Sequence, residues 1–334
     1  MNRFLDLIAH NRNILMLLLL SLIFLTFTVL VPHFFSMYNV LNMTQYGVEI
    51  GLLAFAEALI IISGGGGIDL SVGALLSLTA MIIGVLVGRY GFNIWLAVIV
   101  GLGASGLGGA LNGFMISFIR IPPLLATLAT MYIFDSLALL VSVEPQFGNP
   151  MPISKFPDSY FFIGQSTIFG IPFQVLFIFL PIFFILNYYL KSTIYGRFLY
   201  AVGINDKAAL FSNVPVKKTR FSVYIIGGIL VGIAAVIMTS RIASARPDLG
   251  LGYNLQAITI AVLGGINIFG GEGDLIGVLI SIGIIVVLYN GLQLAGVNAI
   301  WQMGTLGIVL IGSAIINYLL SKRKLYVISL KNSK

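Results

Sequence analysis

Four acidic residues, Glu49, Glu57, Asp69 and Asp135, lie in or beside long apolar runs of a 334-residue chain. Ionisable groups at membrane depth are expensive and by default functional. Glu57 and Asp135 suit either a proton relay or hydrogen bonds that hold neighbouring helices. Asp69 stands in residues 63–73, Ser-Gly-Gly-Gly-Gly-Ile-Asp-Leu-Ser-Val-Gly. There it either meets a polar solute or caps the helix that opens at Leu70, since Asp before a helix-forming run is a start signal. No Ser/His/Asp set and no carboxylate pair at catalytic spacing occurs, so an enzyme is not expected. The chain has no cysteine, which excludes disulfides, haem attachment and cysteine-ligated metal. His10 and His33 flank the first apolar run and read as solvated flank residues.

The element that must position Asp69 is a broken helix. Each glycine costs a helix about 1 kcal/mol against Ala, so four in succession end one. Such a break is tolerated at membrane depth where the freed backbone is buried in protein or lines a cavity. A weaker copy lies at residues 264–271, Gly-Gly-Ile-Asn-Ile-Phe-Gly-Gly, with Asn267 in place of the acid. The pair forms an internal repeat of Gly-Gly-Ile-Asp/Asn-aliphatic, each member preceding an apolar span.

Composition sets the class. The chain is 59% hydrophobic and 9% charged, where soluble domains carry roughly 25% charged residues. It reads as an all-α polytopic membrane protein of about ten transmembrane helices with discontinuous segments. Expected spans are 14–31, 45–63, 73–88, 94–116, 122–142, 171–190, 221–240, 255–266, 275–293 and 300–320. The first is too long for a signal-peptide core and is read as retained. The whole chain, 1–334, forms one transmembrane domain. Fourteen of the eighteen basic residues fall on one side of this topology. That bias makes both termini and the loop 191–220 cytoplasmic, and the Pro-containing loop 143–165 external. The net charge of +7 is thus sorted by loop and does not imply nucleic acid.

Within 191–220, Asn205 is a good N-cap with Asp206 in the first turn, and Pro215 cannot continue the helix. A two-turn helix therefore carries Ala208, Ala209, Leu210 and Phe211 near the membrane. Its apolar side suits a protein partner or lipid headgroups. In the fourth span Gly101, Ala104 and Gly108 share a face suited to close helix packing. Gly271-Glu272-Gly273 lacks the Gly-Lys-Ser/Thr of a phosphate loop, so ATP is not expected to bind this chain.

These residues resemble a known family. The matching pieces are Gly66-Gly67-Ile68-Asp69-Leu70-Ser71-Val72-Gly73, Leu111-Asn112-Gly113 and residues 121–128, Ile-Pro-Pro-Leu-Leu-Ala-Thr-Leu. Residues 196–203, Gly-Arg-Phe-Leu-Tyr-Ala-Val-Gly, residues 257–265, Ala-Ile-Thr-Ile-Ala-Val-Leu-Gly-Gly, and Gly270-Gly271-Glu272-Gly273 follow in order. Together they resemble the membrane permease subunits of ribose-type ABC importers, which move simple sugars and the related autoinducer-2 signal. The resemblance implies that 1–334 is a single permease domain in a bacterial-type inner membrane, paired with a second permease, identical or sister. It also implies two ATP-binding subunits below, an extracytoplasmic sugar-binding protein above, and no cofactor on this chain. Arg197, Asn205, Asp206, Lys207, Ala208, Ala209 and Leu210 would form the element that couples to the ATPase. Asp69, Ser71, Asn112, Asn267 and Gln302 are the candidates along the translocation pathway. The family pattern also implies inverted halves, which the span count meets only if one span is split or re-entrant, near residues 63–73. The chain departs from the family in its extra glycines before Ile68 and in Phe211-Ser212-Asn213-Val214, where Leu-Ser-Gly-Ile is common. The competing function is a self-sufficient secondary sugar transporter, coupled to protons through Glu57, Asp69 or Asp135.

Overall fold

The computed structural model describes residues 12–144 and 148–332, with side chains to residue 315. Arg3, His10, Pro145 and the basic side chains of the tail lie outside the described residues. In chain order the elements are α1 (Arg12–Leu30), α2 (Met37–Ile62), α3 (Val72–Gly88), α4 (Ile94–Phe114, continued by a π turn Met115–Ile119) and α5 (Pro123–Ser142). Next come α6 (Asp158–Gln165), a hairpin of β1 (Thr167–Ile168) and β2 (Ile171–Pro172), and α7 (a π turn Val175–Phe179 running into Leu180–Ser192). Then follow α8 (Ile194–Ile204), α9 (Asp206–Phe211), α10 (Val216–Ile242), α11 (Tyr253–Leu263), α12 (Leu275–Leu294) and α13 (Ala299–Asn332). The hairpin pairs antiparallel, Thr167 opposite Pro172 and Ile168 opposite Ile171.

Every expected span coincides with a helix. Among the described residues seven, α1, α2, α4, α5, α7, α10 and α12, are long and apolar enough to cross a membrane. The eighth expected span, α11, is 11 residues. At 1.5 Å per residue it is about 16 Å long, half the roughly 30 Å of a hydrocarbon core. It is a half-helix, begun after the loop 243–252 and ended by Gly264. The most apolar stretch of α2 is 89% buried, against 6% for α1, so α2 is the central post and α1 lies at the periphery of the chain. Around α2 pack α10, α11 and α12, with α4 and α3 against α10.

Local chemistry sets the helix ends. Ser36 caps α2 by accepting from the Asn39 amide, Asn93 caps α4 through Trp95, and Asp274 caps α12 through Ile276. The C-terminal ends are met by arginines from other elements. Arg89 donates to the carbonyls of Val141, Ser142 and Val143 at the end of α5. Arg12 donates to Val262 and Leu263 at the end of α11, and Arg220 to Ser63 at the end of α2. A cation there satisfies orphan carbonyls and complements the helix dipole. In the fourth span Gly101 and Gly108 meet Ile83 and Leu75 of α3, while Gly109 lies on the backbone of α10 at Tyr224 and Gly228. Ser105 Oγ fastens that crossing to the Gly228 carbonyl at 2.6 Å.

The chain has two faces. Arg12 meets the end of α11, the 264–271 stretch meets the end of α2, and Phe118 rests on Phe221. The N-terminal end of α1, both glycine-rich turns and α8–α9 therefore share one face, the basic one. On the other face Ile153 pairs with Ala245, and Asn39 and Asn290 exchange amide hydrogen bonds. The described residues of the loop 143–165 lie on that second face and include α6.

Candidate coupling and pathway site

The first glycine stretch reverses the chain. Gly64, Gly65 and Gly66 all adopt left-handed φ, at 70°, 66° and 73°, a conformation that costs other L-residues roughly 1–2 kcal/mol each. Three in succession explain the run. The turn sends the chain back inward, so that the Asp69 amide reaches Glu57 Oε2 at 3.3 Å, level with a residue upstream in α2. The segment re-enters the protein before α3 begins at Val72.

There Asp69 is buried and fully engaged. Its Oδ1 accepts from the Ser71 amide at 2.8 Å and from Ser71 Oγ at 2.6 Å. Its Oδ2 accepts from Asn112 Nδ2 at 3.3 Å, and the same amide donates to Ser71 Oγ at 2.8 Å. Thr130 Oγ1 donates to Asn112 Oδ1 at 2.7 Å. Thr127 Oγ1 and Asn254 Nδ2 donate to the carbonyls of Ile68 and Leu70. One polar network thus ties the re-entrant segment to α4, α5 and α11. Two buried atoms beside it, Glu57 Oε1 and the Tyr224 hydroxyl, have no hydrogen-bond partner.

Asp69, Ser71 and Asn112 are therefore brought together, and their geometry holds the break in place. Asn267 and Gln302 stand apart. Asn267 accepts from the Phe269 amide inside its own turn, and Gln302 donates to Val297 at the start of α13. Asp135 is half-buried on α5.

The loop 191–220 contains two helices, α8 and α9. Asn205 caps α9 by accepting from the amides of Lys207 and Ala208 at 3.0 and 3.1 Å. Ala209 is buried against Val202 and Val214, whereas Leu210 and Phe211 are 64% and 90% exposed. Arg197, Lys207 and Ala208 are exposed on the same loop. Asp206 accepts two hydrogen bonds from Arg220, at 3.0 and 2.7 Å.

Sequence reasoning missed Arg220 and the backbone contacts beside it. Gly203 packs against the carbonyl of Ile62 and the amide of Gly271, Gly270 lies on Gly64, and the Gly271 amide donates to the Ile62 carbonyl at 3.0 Å. No local pattern singles out Arg220 after Lys217 and Lys218. A second missed pair is Glu49 with Arg241, bonded at 2.6 and 3.0 Å. The signal for it was present: a wholly buried carboxylate needs a cation, and few lie near the second face.

Residues 39–314 match a family model described as a branched-chain amino acid transport system / permease component. The chain belongs to this permease family. It is 38% identical to the ribose import permease protein RbsC of Bacillus subtilis over 85% of this chain and 86% of that protein. It is 33% identical to the autoinducer 2 import system permease protein LsrD of Escherichia coli, over 87% of each. A probable ABC transporter permease protein, y4mJ of Sinorhizobium fredii, is 32% identical over 88% of this chain and 85% of its own length. No solved structure matches the chain. The permease is thus a transport subunit of the ABC importer type.

Proposed function

We propose that the permease forms the membrane pathway for a monosaccharide, ribose-like or the related furanosyl signal, and is driven by ATP hydrolysed in a separate subunit. The substrate class rests on the names of the relatives, a ribose permease and an autoinducer 2 permease. The observation that carries the coupling is α9: a capped, anchored helix whose Leu210 and Phe211 stand in solvent on the basic face. An exposed apolar pair on a fixed helix suits the cleft of a partner protein. The basic face, with both termini, is the cytoplasmic one in this reading. A second permease, identical or sister, two ATP-binding subunits and an extracytoplasmic sugar-binding protein complete the importer. Asp69, Ser71 and Asn112 act by holding the re-entrant segment, whose movement opens or closes the path.

The reading is tested by reconstituting the permease in liposomes with its ATPase and binding-protein partners and measuring uptake of labelled ribose. Uptake is expected only with ATP and all components. Uptake by the permease alone under a pH gradient would overturn the reading in favour of a proton-coupled transporter.

A further inference from the structure

Three stretches far apart in sequence meet in one place on the basic face. The end of α2 with its glycine turn, the end of α8 and the second glycine turn touch backbone to backbone. A Cβ on Gly203 would overlap the Ile62 carbonyl and the Gly271 amide, and one on Gly270 would overlap Gly64. The Gly271 amide donates to Ile62. Backbones this close leave no side chains to absorb relative motion, so the three segments move as one body.

Polar bonds close the same junction. Arg220 Nη2 donates to the Ser63 carbonyl at 3.0 Å while the guanidinium binds both oxygens of Asp206. One side chain from α10 therefore holds the C-terminus of α2 and the first residue of α9. The Arg220 side chain is 11% exposed and Asp206 45%, so water reaches the carboxylate while the guanidinium and its bond to Ser63 stay largely covered. Around the second turn, the Tyr200 hydroxyl donates to the Gly273 carbonyl at 2.9 Å, and Lys191 pairs with Asp274 at 3.1 Å. The segment carrying α9 is thus fastened at one end to the first broken helix and along α8 to the second.

We propose that this junction is the transmission element of the permease. A push on α9 is delivered through Asp206–Arg220–Ser63 and through Gly203 to both glycine breaks at once, and Arg220 is its positioning residue. The proposal rests on the reading that α9 docks to the ATPase subunit. The planar guanidinium matters because it makes three directed bonds in a fixed fork, which an ammonium cannot reproduce.

The test uses the reconstituted importer, with ATPase capture, ATP hydrolysis and ribose uptake measured separately. Arg220→Met removes three bonds and is expected to keep ATPase capture and hydrolysis while uptake per ATP falls at least about tenfold, the worth of losing even one charge-assisted hydrogen bond. Arg220→Lys, the milder variant, is expected to fall between Met and wild type, and it decides the matter if Arg220→Met does not accumulate. Unchanged uptake per ATP in Arg220→Lys and in any Arg220→Met protein obtained would overturn the proposal. Failure of the docking reading shows elsewhere, as ATPase capture that survives Leu210→Asp. The chain lacks cysteine, so spin labels can be placed at Ser212→Cys and Phe269→Cys. With Arg220 present, one narrow distance is expected in both ATP-bound and nucleotide-free complexes. A distance that changes between those states refutes a rigid junction.

Discussion

Removing Glu49 tests whether the permease is held at its second face by a buried ion pair. Glu49 sits in the wholly buried part of α2 with a side chain 0% exposed, and Arg241 ends α10 with 27% exposure. Both carboxylate oxygens are bonded, to Nε at 2.6 Å and Nη2 at 3.0 Å. Breaking a buried pair from one side costs about 3–5 kcal/mol, because the remaining charge loses its partner. The guanidinium keeps some water, which places Glu49→Ala at the lower end, about 3 kcal/mol. Glu49→Gln preserves the volume and one acceptor, and costs about 1–2 kcal/mol. Replacing both residues by Leu removes both charges and is expected to recover most of the loss. The internal control is Arg246–Asp248, with side chains 51% and 54% exposed, where Asp248→Ala costs less than about 1 kcal/mol. Equilibrium unfolding in mixed detergent micelles, followed by circular dichroism, ranks the four proteins. Equal midpoints for Glu49→Ala and Asp248→Ala would refute the argument that burial decides the value of these pairs.

Leu210→Asp is expected to abolish capture of the ATPase subunit while leaving the helical content unchanged, since Leu210 is 64% exposed; pull-down and circular dichroism read the two effects. Gly66→Ala should cost only about 1–2 kcal/mol of left-handed strain, because nothing lies within 4 Å of its added Cβ. Gly203→Ala should cost more, about 1–3 kcal/mol from overpacking alone and with uptake impaired, because its Cβ must push neighbouring backbones apart; thermal midpoints and uptake assays compare them. Asn205→Ala removes the acceptor of two amides in α9 and is expected to cost about 1 kcal/mol of local order, seen as faster amide exchange at residues 206–211. Arg246 holds the Asp248 carboxyl below its ordinary range. The pair's small contribution is therefore present above that range and lost as pH falls through it, and Asp248→Asn should abolish this component of the acid titration of stability.

Much of the fold was legible because its signals are local. Ten apolar runs marked ten helices, seven of them, among the described residues, long and apolar enough to cross hydrocarbon. Asn205 and Pro215 bounded α9, since capping and proline geometry act within one turn. The loop 191–220 hid a second helix, α8, because its cap is an ordinary Thr193 hydroxyl accepting from the Gly196 amide and no pattern set it apart. Among the pathway candidates, Asn267 shared a motif position with Asp69 but bonds within its own turn. Short polar side chains serve turns as readily as solutes.

Asp69 and the glycines before it divide the two kinds of information. That residues 63–71 break a helix follows from the sequence alone, because successive left-handed residues require glycine whatever surrounds them. So do membrane residence, the all-helical class and the charge bias between faces, all sums over neighbouring residues. Only the tertiary structure decided that the break re-enters beside Glu57, that Asn112 and Thr130 complete its bonding, and that Gly64, Gly203 and Gly270 meet. Those contacts join segments more than a hundred residues apart in places. A glycine in the sequence marks either a left-handed turn, as at Gly66, or a close approach, as at Gly203, and only packing of the whole chain says which.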